Sequence, residues 1–595
     1  MKGQNRFIFR IGLAAVLAAT ALCIRPQAQV VPTAVVKNGL DIDLRSDAKI
    51  FRDEITTGAG VISVLDEPSA TPGLPVVPSI QFRGGNLQVN DAALDTIQQF
   101  PGFRSFVHYT QSETSVAASG QNIVATYNTS AGLHVIANPS GPGLVFDRVQ
   151  LSGFSASTDG GITFKSGFFP GVEGTPFSFG DPSIDVDRHR NFYFAQLGQN
   201  ADGSHGAVTV NTSHDGGSTW GNAVVAAIDD GSDKEWLAVG PDPFNKGRDN
   251  VYVTWTSFQA TGSQLAFAKS TDGGVTWTSK IIYAPPADPD PTRPQNFLSF
   301  TNPVVDRFTG TLYLPFAHFS NADTDFIQML ISNDGGATFH FATFNVPGAF
   351  DATLLPIVQP GELISCSTNN LRLTLHAGPD IGGGQFGLRR FVSATRLIAQ
   401  PALAARNGQI FLAWNTSDSP FFGDPNGHSN IMFIRSDDGG ATWTPQIQVD
   451  PAGDPHHVHP SLSLDEGSPQ SVHISYYTQH NDGSLDLDVA NSHDRGNSFP
   501  ANRTLRVSST PFALPPSNIP IPTATHPFAT TNYDRNIAQC YALGEYQSAK
   551  AVNGKVYVSW GDTRNTVMQP VNPLDPISGV THPQEDVFFQ IVKAQ

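Results

Sequence analysis

Hydrophobic and polar positions alternate along most of the chain in short runs rich in β-branched and aromatic residues. "NVYVTWTS" from Asn250, "QLAFAKS" from Gln264, "TLYLPFAH" from Thr311 and "DFIQMLIS" from Asp325 are examples. A period of two argues for half-buried strands, and clusters of Gly, Asn, Asp and Pro between the runs argue for tight turns. No stretch between these turns carries a sustained helical period. The pattern predicts an all-β chain.

A short polar phrase punctuates the strands. It reads "STDGGITF" at 157, "SHDGGSTW" at 213, "STDGGVTW" at 270, "SNDGGATF" at 332, "SDDGGATW" at 436 and "SHDRGNSF" at 492. Its aspartates, Asp159, Asp215, Asp272, Asp334, Asp438 and Asp494, are 56, 57, 62, 104 and 56 residues apart. A period in the fifties is that of propeller blades. Each phrase closes a unit of strand, hairpin, strand, loop and strand, and a further strand follows, which makes four antiparallel strands per blade. The phrase itself reads as a turn. The carboxylate accepts bonds from the turn's own amides, the glycines supply positive φ, and the closing Trp or Phe packs between neighbouring sheets.

In sequence, "S-x-D-x-G-x-T-W/F" resembles the Asp box, or BNR repeat, of the sialidase superfamily, and the resemblance spans roughly residues 110 to 595. The last unit, from "LGEYQSAK" to "QEDVFFQIV", lacks the box but is similar to the closing repeat of exported bacterial sialidase-like proteins. Counting it gives a seven-bladed β-propeller, with six blades, as in sialidases, the alternative. The blades fall at about 110–175, 176–230, 231–295, 296–350, 396–450, 455–510 and 541–595, with insertions at 351–395 and 511–540. The last blade has three strands of its own, so an N-terminal strand, "NLQVND" at 86–91, is expected to complete it and close the ring. Residues 29–85 read as an irregular lead-in.

Composition then narrows the setting. Lys2, Arg6 and Arg10 precede an apolar run from Ile11 to Ile24 and the small-residue stretch "RPQAQ". This is the order of a cleavable signal peptide, expected to end near Ala28, and it predicts a secreted or periplasmic protein. A formal charge of −17, with 35 Lys plus Arg, argues against nucleic acid and anionic membranes as partners. Cys366 and Cys540 would remain after cleavage and could pair in an oxidising compartment.

The inner strands open with polar residues: Glu113, Asp181, Glu235, Asn302, Gln400, His459 and Glu545. These are expected to ring the channel mouth, with Glu545, Glu113, Asp181 and Glu235 consecutive on one arc. Crowded carboxylates could serve as acid and base or hold Ca²⁺; alternatively, each caps its neighbour's backbone. Around this arc, Arg389, Arg390 and Arg396 could bind a carboxylate or sulfate, or form a solvated loop. His457 and His459 are spaced as a metal pair on one side of a strand, or as ordinary core histidines. Asp562 and Arg564 leave the last blade beside the proposed mouth.

The resemblance implies a glycan partner and a site with a Tyr nucleophile assisted by Glu, an acid Asp and three arginines that grip a sugar carboxylate. Tyr546, beside Glu545, is the first candidate for the tyrosine and Tyr541 the second. The chain departs from the clamp, because Ser112 stands where its first arginine is expected and Arg104 does not match the motif. A glycoside hydrolase without the usual clamp, a non-catalytic glycan- or protein-binding propeller, and a metal-stabilised structural module all remain open.

Overall fold

A computed structural model of the chain describes residues 63–64, 85–102, 106–108, 111–286, 297–357, 400–418, 428–513 and 546–593, with short breaks inside these ranges. The signal-peptide expectation therefore lies outside the described residues, as do Arg104, Cys366, Arg389, Arg390, Arg396, Cys540, Tyr541 and Glu545. Among the described residues the elements are strands, apart from two 3₁₀ turns at Ala92–Leu94 and Ala501–Arg503. None of the described helices is long and apolar enough to cross a membrane.

The alternating runs form antiparallel meanders. In the first, Gln111–Ser119 pairs with Asn122–Thr129, which pairs with Ser152–Ser157, which pairs with Lys165–Phe168. The same order recurs from Phe177–Val186 to Val224–Ile228 and from Ser232–Pro241 to Thr278–Tyr283. The later sheets follow it from innermost strands Val304–Val305, Ala402–Arg406, His456–Leu464 and Ser548–Val552. These innermost strands touch in sequence order, and Ser548–Val552 touches Gln111–Ser119 again. The sheets therefore close a ring.

The closure uses the N-terminal clasp. Leu87–Gln88 pairs antiparallel with Phe588–Phe589 at the outer edge of the last sheet, and Val89 N donates to Val587 O. Asn90 then locks the strand: its amide donates to Asp586 Oδ1 at 2.7 Å and its Oδ1 accepts from Val587 N at 2.8 Å. The lead-in contributes one further piece, Ser63–Val64, which runs parallel to Leu144–Gln150. That partner belongs to a hairpin, Leu133–Ala137 with Leu144–Gln150, inserted between the second and third strands of the first sheet.

Neighbouring innermost strands lie side by side without an extended ladder, so side chains join them. Ser115 Oγ accepts from Ile184 N, Ser183 Oγ from Leu237 N, Ser461 Oγ from Ala549 N, and Ser548 Oγ from Val116 N, at 2.9–3.3 Å. All four serines hold one register position. Between sheets the core is apolar and aromatic, with Trp414, Trp560, Tyr252, Tyr476 and Phe164 fully buried.

The polar phrases form turns as expected. Asp272 Oδ1 accepts from Thr276 N at 2.9 Å and Oδ2 from Thr276 Oγ1 at 2.6 Å, while Ser270 Oγ donates to the carboxylate and accepts from Gly274 N. Glycine is required at the second glycine place: a Cβ on Gly217 would lie 2.2 Å from Val124 of the preceding sheet. The first place tolerates Arg495, at φ 61°. Each closing aromatic packs backwards, as Phe164 does on Phe589, Trp220 on Phe154, Phe339 on Phe267 and Phe499 on Phe433.

Candidate functional site

The innermost strands share a kink at their entry. The pairing register skips between Ser112 and Ser115, Gly180 and Ser183, Asp233 and Trp236, and Val458 and Ser461. The first skipped residue is left-handed each time: Glu113 (φ 53°), Asp181 (57°), Lys234 (52°) and His459 (53°). Phe300 (59°) does the same in the next sheet. Outside glycine this conformation costs on the order of 1 kcal/mol or more per residue, and such strain gathers at functional sites. Gln400 and Tyr546 hold the equivalent place in sequence, each two residues before the start of its strand.

This register corrects three expected ring members, since Tyr546 takes the place expected for Glu545. Lys234 and Phe300 take the ring positions assigned to Glu235 and Asn302. The bulge adds one residue, so a count from the first polar residue of "EWLAVG" or "NPVVD" starts too late. Glu235 falls on the second skipped place, where Thr114, Pro182 and Pro460 stand in other sheets. Asn302 sits one step deeper, level with Ser115.

Lys234 also changes the chemistry of the arc. Its Nζ lies 3.6 Å from Glu113 Oε1 and 3.8 Å from Asp181 Oδ2, and all three side chains are buried. The described part of the expected carboxylate arc is therefore an ion triad, with the ammonium supplying the counter-charge. Neighbouring backbone and amide groups hold the carboxylates. Asn128 donates to Glu113 Oε2 at 2.8 Å and accepts from Asp181 N at 2.8 Å, and Lys234 N donates to Asp181 Oδ2 at 3.2 Å.

Tyr546 closes over the triad. Its hydroxyl donates to Pro182 O at 3.4 Å, its ring meets Trp236 at 4.8 Å between centroids, and Lys234 Nζ lies 6.0 Å from the ring centre. Burial, then the charges of Glu113 and Asp181, hold the phenol well above its ordinary pKa. Glu235 is 1% exposed, and neither of its oxygens has a hydrogen-bond partner among the described residues. Burial, reinforced by Asp181, pushes its carboxyl well above the usual range. The cluster thus places two groups whose pKa burial raises, Tyr546 and Glu235, beside a triad of two carboxylates and one ammonium. A cavity of about 20 Å³, lined by Trp236, Asn302, Gln400, Tyr546 and Gln547, adjoins it.

The remaining candidates separate. His459 packs edge-on against Tyr477 at 6.0 Å, whereas His457 meets Tyr476 at 5.5 Å and Asp450 Oδ2 at 3.2 Å. Tyr476 and Tyr477 are adjacent on one strand and face opposite sides of it. The two histidines do not share a face, because left-handed His459 breaks the alternation that would have aligned them. Among the described residues no group of three His, Cys, Asp or Glu could hold a metal ion.

Asp562 and Arg564 do come together, but as an anchor of the clasp. Asp562 Oδ1 accepts from Arg564 Nε at 3.0 Å and Oδ2 from Trp560 Nε1 at 3.0 Å. Arg564 also donates to Asn86 Oδ1 at 3.1 Å and lies over Phe588. Ser112 is buried in the first sheet.

Sequence reasoning missed Lys234, Phe300 and Trp236. The signal was available in the repeated step from the left-handed residue to Ser two places on, as in "ETS", "DPS" and "HPS". "YQS" at 546–548 repeats that step, whereas "KEW" at 234–236 carries Trp236 in place of the serine and so hides it.

No family model matches the chain, and no curated protein does. Among solved structures it is similar to an ulvan lyase of polysaccharide lyase family PL25, at 11% identity and a TM-score of 0.44, over 82% of this chain and 96% of that one. It is similar to polysaccharide lyase Uly1 at 9% identity and a TM-score of 0.44, over 87% and 99%. It is similar to the Hadza microbial sialidase Hz136 at 13% identity and a TM-score of 0.35, over 87% and 95%. At these scores the similarity decides neither activity nor substrate.

Proposed function

We propose that the chain is a secreted, seven-bladed Asp-box propeller that acts on a glycan at the channel entry, by glycoside-hydrolase-type acid–base chemistry. The observation that carries this reading is Glu235. A fully buried carboxyl without a hydrogen-bond partner among the described residues costs stability, and it stands where other sheets place Pro, Thr or, in the last, Gln547. Its elevated pKa suits a general acid that protonates a leaving glycosidic oxygen. Tyr546, against the Glu113–Lys234–Asp181 triad, is the neighbouring group that would meet the sugar. Substrates with a carboxylate are disfavoured by Ser112 at the first arginine place of the clamp.

A second reading, a non-catalytic glycan-binding propeller, is favoured by the burial of the triad and of Tyr546. Ca²⁺ between Glu113 and Asp181 is the weaker metal-stabilised reading, because Lys234 already supplies the positive charge there.

Fluorogenic glycosides, sialosides included, separate these readings when offered to the purified protein and its Tyr546→Phe variant. The hydrolase reading predicts turnover of neutral or cationic glycosides that the variant loses by about a hundredfold or more. Glycan binding with no turnover on any substrate supports the binding module instead. A melting temperature that falls on chelation, with neither binding nor turnover, supports the metal reading.

A further inference from the structure

A second feature lies at the opposite end of the channel. The innermost strands line a cavity of about 170 Å³ that starts at Trp236, Asn302 and Ser461, shared with the smaller cavity beside Tyr546, and runs along the channel to that end. Its charged lining consists of Arg307, Arg406, Lys550 and Asp185. Arg406 ends one innermost strand and Arg307 lies two residues past the end of another, so they lie on the side of the strand-one-to-two hairpins. The aspartate turns occupy that same side, as Gly439 N donating to Gly408 O at 2.9 Å shows.

Among the described residues that line it, three cations face one carboxylate, in a protein whose formal charge is −17. Asp185 lies 3.7 Å from both Arg307 Nη2 and Lys550 Nζ, and also accepts from Val239 N. The nearby carboxylates of Asp306 and Asp465 are buried and spent on backbone amides: Phe308 and Gly408 for the first, Gly467 and Gly554 for the second. Arg406 is held in place by its bond to Asp465 O at 3.0 Å and by the ring of Phe308, 5.2 Å away. Phe308 is itself 54% exposed and lines the cavity. Guanidinium and ammonium groups converging on a concave, partly apolar pocket are the chemistry of oxyanion recognition.

We propose that this end of the channel binds a small oxyanion (carboxylate, sulfate or phosphate) through Arg307, Arg406 and Lys550, on the face opposite the Tyr546 cluster. The site is independent of the glycan reading. Asp185 is the competing internal anion that a ligand displaces from the cations.

Calorimetric titration of the full chain with sulfate, phosphate and acetate, at ionic strength held constant with sodium chloride, tests this. Saturable binding of at least one anion is expected, and the anion preferred assigns the ligand class. Lys550→Met and Arg406→Gln should each weaken binding about tenfold or more, as loss of a charge-assisted bond implies. Asp185→Asn should tighten it, a gain that a merely destabilised protein would not show. Thermal melting checks that each variant is folded, and Lys550→Met serves if Arg406→Gln is not. Absence of saturable binding by all three anions overturns the proposal. So does binding that Lys550→Met and Asp185→Asn leave unchanged.

Discussion

The residue that the structure re-values most is Lys234. A buried ammonium between two buried carboxylates contributes less by attraction than it prevents by its presence. Lys234→Met removes a buried positive charge from beside Glu113 and Asp181, and the expected loss is about 3–5 kcal/mol in chemical denaturation. The phrase aspartates behave differently, because they lie near the surface and stabilise their own turns. Asp159 accepts from Ile162 N, Thr163 N and Thr163 Oγ1, which lowers its pKa to about 2. Its folded pKa is depressed, so its contribution is present above the ordinary value of 3.8 and fades as pH falls towards 2. Asp159→Ala should therefore cost about 1–2 kcal/mol at pH 6 and progressively less below pH 4, measured as the difference in denaturation midpoints.

At the scale of elements, most of the fold was legible in the sequence. Strand alternation, the phrase period and the count of strands left over for the last sheet pointed to the clasp at 86–91, which the structure forms. The phrase was legible because turn chemistry is local: Asp, Gly and Thr within five residues suffice to write it. The entry bulge was not, because its one extra residue falls among consecutive polar positions, where a shift in alternation leaves no hydrophobic mark, and it shows itself in pairing register. That slip moved the expected site from Lys234 to Glu235 and from Phe300 to Asn302. It also aligned His457 with His459 on paper when they face opposite sides. The oxyanion end escaped because Arg307, Arg406 and Lys550 belong to three different sheets, and no sequence spacing brings them together. The clasp makes its own prediction. Asn90→Ala removes a buried donor to Asp586 and an acceptor for Val587 N, and about 2–3 kcal/mol of stability should go with them. A larger exposure of the last sheet to proteolysis should accompany that loss.

For the whole molecule, the ring acts as a frame. Serines join its innermost strands, aromatics wedge its sheets, and the clasp closes it. These features carry the stability that a strained and electrostatically costly entry consumes. Left-handed Glu113, Asp181, Lys234, Phe300 and His459, together with a Glu235 that has no hydrogen-bond partner among the described residues, make little sense as scaffold alone. The central claim is that Glu235 is retained for chemistry rather than for folding. Stability and glycoside turnover, measured side by side on the protein and its Glu235→Gln variant, test it most directly. The account predicts that the variant is at least as stable near neutral pH, because a neutral amide of the same size replaces a buried carboxyl that burial penalises whenever it ionises, while turnover falls by roughly a hundredfold or more. Turnover undiminished in a well-folded variant, or a marked loss of stability with turnover per folded molecule unchanged, would contradict it.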